Sequence, residues 1–156
     1  MAVVTVTAAA GIPLPKAHHV GVQALHFQYE GGGTSIGTPG DTIILGKLPN
    51  KGTVLDMASR VDTNADTSSA VVFFITKGNP ASETTTLAIL GTISNSATLG
   101  AVMFRPGAVW APYKVSLSDD DGTQYALLKV RFAAGTATTS MSMDGYITFA
   151  MNAEPS

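Results

Sequence analysis

The chain has 156 residues, no cysteine, only 13% charged residues and a net charge of −2 at pH 7. That length suits one domain with its own core. The missing cysteine excludes disulfides and thiolate metal sites, and the scattered lysines and arginines form no basic stripe for nucleic acid. Charge is about half the usual share and mean hydropathy is +0.24, yet no run reaches the roughly 18 apolar residues of a membrane span. A chain this poor in charge is expected to hide apolar surface against copies of itself or within a larger assembly.

Residues 3–7 (VVTVT) are a short β-prone run, and 8–15 (AAAGIPLP) break it with one Gly and two Pro. Residues 1–15 are therefore expected to be an extended N-terminal arm and 16–156 the β-domain. Val3, Val4, Thr5, Val6 and Thr7 are the candidate partner-binding residues, as an arm that adds a strand to a neighbour. The plainer alternative is a frayed terminus. The run lacks a basic flank and is interrupted by Thr, so no secretory signal is expected.

Residues 18–30 form the next expected strand. His19, Gln23, Leu25, Phe27 and Tyr29 share one face, and Val20, Val22, Ala24 and His26 the other. Residues 31–40 (GGGTSIGTPG) are a loop. A short strand over 43–48 ends at the turn Pro49-Asn50-Lys51-Gly52. Leu55, Met57 and Val61 then alternate with Asp56, Ala58, Arg60 and Asp62, which predicts a half-buried strand with one wet face. Residues 70–76 (AVVFFIT) are apolar on both faces, as in a central strand or one whose second face meets another subunit. Burial on both sides is the expectation.

The stretch 84–103 predicts a strand followed by a loop or short helix: 97–103 can make one helical turn, while Gly91 and Gly100 oppose a long helix. Tyr113, Val115 and Leu117 alternate with Lys114 and Ser116 before the turn Asp119-Asp120-Asp121-Gly122. Leu128, Val130 and Phe132 then face inward, with Lys129 and Arg131 outward. In the last strand Met141, Met143, Ile147, Phe149 and Met151 alternate with Ser140, Ser142, Asp144, Thr148 and Asn152. That pattern suits the middle of a sheet, with Gly145 allowing a bulge. Residues 40–62 and 113–132 repeat one unit of run, turn and run. About eight such strands predict an all-β fold, an antiparallel β-sandwich of jelly-roll-like form, with a barrel as the other closed solution.

The motifs carry little chemistry. Gly33-Thr34-Ser35-Ile36-Gly37 matches G-x-S-x-G, but the nucleophile elbow needs a strand before the Ser and a helix after it. Here glycines precede, Thr38-Pro39-Gly40 follows, and His18, His19 and His26 all lie N-terminal to Ser35. The loop also lacks a P-loop lysine. Asp62, Asn64 and Asp66 sit at the first three ligand positions of a calcium loop, but Thr67 stands where glycine is required and Phe73 where the bidentate Glu belongs. Asp119, Asp120 and Asp121 repel one another and favour an exposed turn. Adjacent His18 and His19 point to opposite faces of a strand, and His26 lies about 26 Å from His18 along it. Glu30 and Glu83 make no hydrolytic pair. No catalytic residue, metal site or cofactor is expected.

The order of short motifs resembles a group of small virion structural proteins of tailed bacteriophages, the head decoration or cement type. The motifs are LGKLPNKGTVLD (45–56), VVFFITKG (71–78), ILGTISNSA (89–97), an Asp-rich turn and a long closing strand, over about two thirds of the chain. The resemblance implies a β-sandwich without an active site, made in the host cytoplasm and placed on the capsid surface. Its expected partners are the major capsid protein and further copies of itself, as a trimer, with neither nucleic acid nor membrane. A different class stays open beside it: a carbohydrate- or receptor-binding β-module of a fibre or tail, on which Trp110 and Tyr113 would form the aromatic platform.

Overall fold

The computed structural model describes residues 5–7, 21–31, 35–36, 38–62, 70–78, 86–93, 101–104, 113–115, 125–134 and 142–151. These residues form ten strands: β1 (Thr5–Thr7), β2 (Gly21–Glu30), β3 (Thr42–Pro49), β4 (Thr53–Asp62), β5 (Ala70–Lys77), β6 (Thr86–Ile93), β7 (Ala101–Phe104), β8 (Tyr113–Lys114), β9 (Tyr125–Ala134) and β10 (Ser142–Met151). Two sheets result. Sheet A runs β1-β3-β9-β5-β6; sheet B runs β2-β10-β4-β7, with β8 also on β4.

Setting β1 and β8 aside, eight strands pair as a nested series: β2 with β10, β3 with β9, β4 with β7 and β5 with β6. The nest is rolled so that β10 also pairs with β4, and β9 with β5. That wrapping is an eight-stranded jelly roll. Its strands alternate between the sheets, so most turns carry the chain across the sandwich. The run-turn-run unit over 40–62 is therefore no hairpin: β3 lies in sheet A and β4 in sheet B. The same holds for β8 and β9.

The core lies between the sheets. Sheet A contributes Ile43, Leu45, Leu48, Val71, Phe73, Ile75, Leu128, Val130 and Phe132; sheet B contributes Phe27, Tyr29, Val54, Met57, Met143, Ile147 and Phe149. Parity along β2, β9 and β10 follows the sequence pattern. In β4 the pattern breaks at a bulge: Asp56 opposes Thr148 and Val54 opposes Phe149, so Leu55 is the extra residue. Val54 therefore enters the core and Leu55 stays half-exposed. Gly145 is not at that bulge; it pairs regularly with Phe27 and Ser59. Residues 101–103 of the segment 97–103, expected to be able to form a helical turn, belong to β7 instead.

Strand β5 is buried along both faces. Phe73 and Ile75 face the core, while Val72, Phe74 and Thr76 face outward beside Ile44, Leu127 and Lys129, and all six outward residues are buried. The Arg131 guanidinium lies 5.4 Å from the Phe74 ring and the Lys47 ammonium 4.7 Å from that of Tyr125. Burial on both sides is thus reached within one chain.

The turn before β3 is tied to β9. Thr38-Pro39-Gly40-Asp41 closes with the Asp41 N–H donating to the Thr38 carbonyl at 2.9 Å, and Gly40 has φ of 99°. That is a type II turn, with Pro and Gly at the positions that need them. The Thr38 N–H donates to Asp41 Oδ2 at 2.9 Å. The Gly40 N–H donates to the Phe132 carbonyl at 2.8 Å, and the Phe132 N–H to the Asp41 carbonyl at 3.0 Å. Asp41 is 1% exposed. Asp41→Ala is expected to cost about 1–3 kcal/mol, because the half-buried Thr38 N–H loses its acceptor, whereas Asp41→Asn keeps an acceptor and costs less. Thermal melts of both variants check this; an alanine variant as stable as the parent would contradict it.

Candidate interaction surfaces

The residues that carried motifs in the sequence do not converge. Ser35 is exposed and is followed by buried Ile36, then by the turn at 38–41 and by β3 rather than a helix. His26 lies exposed on β2. His18, His19, Asn64, Asp66, Asp119–Asp121, Glu83 and Trp110 fall outside the described residues, as do Val3 and Val4. Among the described residues no three His, Asp or Glu side chains come together to hold a metal ion. Nor is any helix there long and apolar enough to cross a membrane.

Thr5–Thr7 form β1, which lies parallel on β3 with Thr5 opposite Thr42, Val6 opposite Ile43 and Thr7 opposite Ile44. The arm segment thus adds a strand to the edge of its own sheet A. This is the one parallel pair among the described strands, and the long connection between its members is what a parallel pair requires.

The outer face of sheet B is polar. His26, Gln28 and Glu30 of β2 alternate outward against buried Phe27 and Tyr29. Across β10 they face Tyr146, Asp144 and Ser142, and Asp144 in turn faces Arg60 of β4. A hollow of about 210 Å³ opens among His26, Gln28, Glu30, Ser142 and Asp144. Gln28 Nε2 donates to Glu30 Oε1 at 3.0 Å, which stiffens one rim. Tyr29 turns inward beneath it, and burial pushes its hydroxyl pKa above the ordinary value near 10, so it stays protonated at neutral pH. His26, Gln28, Glu30 and Asp144 in this hollow are exposed, and the arrangement suits contact with a polar surface.

The edges divide into two kinds. β1, β7 and β8 have three, four and two residues. β6 is longer, but its register against β5 shifts twice. β2 has ten residues and pairs with β10 without a shift. Among the described residues the exposed large hydrophobic side chains are Val22 of β2 and Ile89 of β6, at 68% and 59%. The sequence patterns held these edge residues in view as strand residues, but which strands are edges depends on pairings between distant segments, and no local signal reports those.

No family model matches this chain, and no curated protein matches it. Among solved structures, a chain from the capsid of Ralstonia phage GP4 superposes with a TM-score of 0.65 at 19% identity, over 98% of this chain and 100% of that one. The two share one all-β sandwich fold from end to end. A chain from the acidic stable capsid structure of Helicobacter pylori bacteriophage KHP30 matches with a TM-score of 0.49 at 13% identity, over 86% of this chain and 91% of that one.

Proposed function

We propose that this chain is a bacteriophage virion structural protein of the decoration or cement type, which stabilises the head by contacts to the capsid surface and to further copies of itself. The observation that carries the proposal is the end-to-end likeness to a chain from the capsid of Ralstonia phage GP4. The order of motifs in the sequence and the low charge support it. On this reading the chain is made in the host cytoplasm, its partners are the major capsid protein and its own kind, and its work is done by surface rather than by catalysis.

Residues 3–7 are the proposed contact segment. Thr5–Thr7 already have strand conformation and a partner edge in β3, so the same three-residue ladder can be exchanged for an edge on a neighbour at little cost in new backbone order. Self-association is expected from the low charge and from the two-faced run 70–76; the second face of β5 is buried in the chain itself, so the proposed contacts between copies fall to the arm and the strand edges.

Purified protein mixed with capsids that lack it should co-sediment with them and raise the temperature at which the shells rupture. A chain beginning at Lys16 should bind about tenfold more weakly or worse. Failure of the full chain to co-sediment at micromolar concentration would remove the proposal. Equal binding by both chains would remove the role given to the arm.

A further inference from the structure

We infer that β1 is an exchangeable strand, and that its second seat is β3 of another copy of this chain, in the parallel register it takes on its own β3. The inference rests on the role proposed above for residues 3–7 and names the partner of that segment.

Among the described strands β1 pairs with β3 alone, over the short ladder from Thr5–Thr42 to Thr7–Ile44. The register of β3 against β9 shifts just after Ile44, so the strand bends where the β1 ladder stops. The link behind β1 is long for what it spans. Ile44, opposite Thr7, lies five residues before the end of β3, or about 17 Å. Gly21 begins β2 in the other sheet, at the end where β3 crosses to β4, and packed sheets lie about 10 Å apart. The span from Thr7 to Gly21 is therefore on the order of 20 Å, whereas residues 8–20 can reach about 45 Å when extended. With that slack the same link allows β1 to be seated on a neighbour.

The occupant follows from what β1 leaves behind. Its seat on β3 includes Ile43 and Ile44, which are 0% and 7% exposed. An arm that moved to a foreign edge would strip Thr42–Ile44 of their ladder and uncover that apolar pair, and unpaired buried backbone is costly. An arm arriving from another copy refills the seat with the same residues in the same register. Exchange between copies thus conserves every contact that β1 makes, which is why swapping an identical element is a low-cost route to assembly. Each copy gives one arm and takes one, so the assembly closes as a pair or a ring.

The test uses engineered cysteines, which are clean because the chain has none. Thr5 lies opposite Thr42, and neighbouring strands run about 4.8 Å apart, within disulfide range. A double variant, Thr5→Cys with Thr42→Cys, refolded dilute and oxidised should link within one chain; failure there would overturn the register on which the inference stands. The two single variants are then mixed and refolded together, so that a 5–42 disulfide can form only between chains. A short flexible link holds β1 at its own seat at an effective concentration of about 1 mM. The link between chains should therefore appear as the protein approaches about 1 mM and fall at least about tenfold at about 1 µM. Adding Val6→Pro to the Thr5→Cys chain should abolish it, because proline cannot donate to a ladder. No 5–42 link at the high concentration overturns the inference. So do 5–5 or 42–42 links in equal yield, or a link that survives Val6→Pro, since both mean collision without strand pairing. Capsid binding by chains that give no link would leave the shell reading standing without exchange, and a link in chains that ignore capsids would do the reverse.

Discussion

Gly145→Ala is expected to lower the unfolding free energy by about 3 kcal/mol, more than a single methyl does at most sites. Gly145 lies in β10, the strand held between β2 and β4, and faces the core. A Cβ there would meet the Ala58 carbonyl oxygen at 2.3 Å, Phe27 Cζ at 2.7 Å and Ser59 Cα at 2.9 Å. Two of those atoms are backbone of the neighbouring strand, so relief requires moving β4 away from β10. The third belongs to Phe27, which stands opposite Gly145 in the ladder and lays its ring over it, an aromatic cover for a glycine in a sheet. Gly46→Ala is the matched control. Its Cβ would meet Leu25 Cδ2 at 2.5 Å, the far end of a side chain that can turn aside, and the cost should be about 1 kcal/mol or less. Urea unfolding of both variants, with the slope unchanged and the midpoint shifted, is the measurement. Equal midpoints would mean that β4 and β10 yield easily and that the close approach is not what selects glycine.

Much of the fold was legible because strand parity is local. The alternation in 125–134 and 142–151 predicts which side chains of β9 and β10 face the core, and Phe132, Ile147 and Phe149 are where it puts them. The class, an all-β sandwich, follows from the count of such runs. What stayed hidden is non-local. Nothing within 40–62 says that its two strands belong to different sheets, because a tight turn can close a hairpin or cross a sandwich with the same residues. Lys51 shows this: it has φ of 67° in the turn, and its N–H donates at 2.8 Å to the carbonyl of Val115, beyond β8, instead of closing a hairpin. The exchange of Leu55 for Val54 in the core is set by a bulge opposite β10, and the sequence of β4 alone does not contain it. Asp41 reads as an ordinary turn residue, and its burial comes from β9, some ninety residues later in the chain. The candidate surfaces were least legible of all. The chemical motifs scattered, and the features that remained, a long edge strand and a polar sheet face, are properties of strand order.

Phe73→Ala and Phe74→Ala should both destabilise strongly, the first by about 3–5 kcal/mol and the second by about 2–4 kcal/mol. Phe73 is 0% exposed among Ile75, Val130 and the other core residues, and its loss opens a cavity between the sheets. Phe74 points to the opposite face of sheet A, is 6% exposed and lies under the Arg131 guanidinium, so its truncation removes buried apolar surface and a cation–π contact worth about 0.5–1 kcal/mol. Residues of opposite parity on one strand normally divide into an expensive side and a cheap one, because surface positions change stability by only about 0.5 kcal/mol. Near-equal costs on β5 would establish by measurement that both its faces are closed within one chain. The experiment should be run at low protein concentration, with melts repeated at higher concentration. If Phe74→Ala instead costs almost nothing in the dilute monomer but abolishes self-association, the outer face of sheet A is a subunit interface after all, and the burden placed on strand edges would move back to β5.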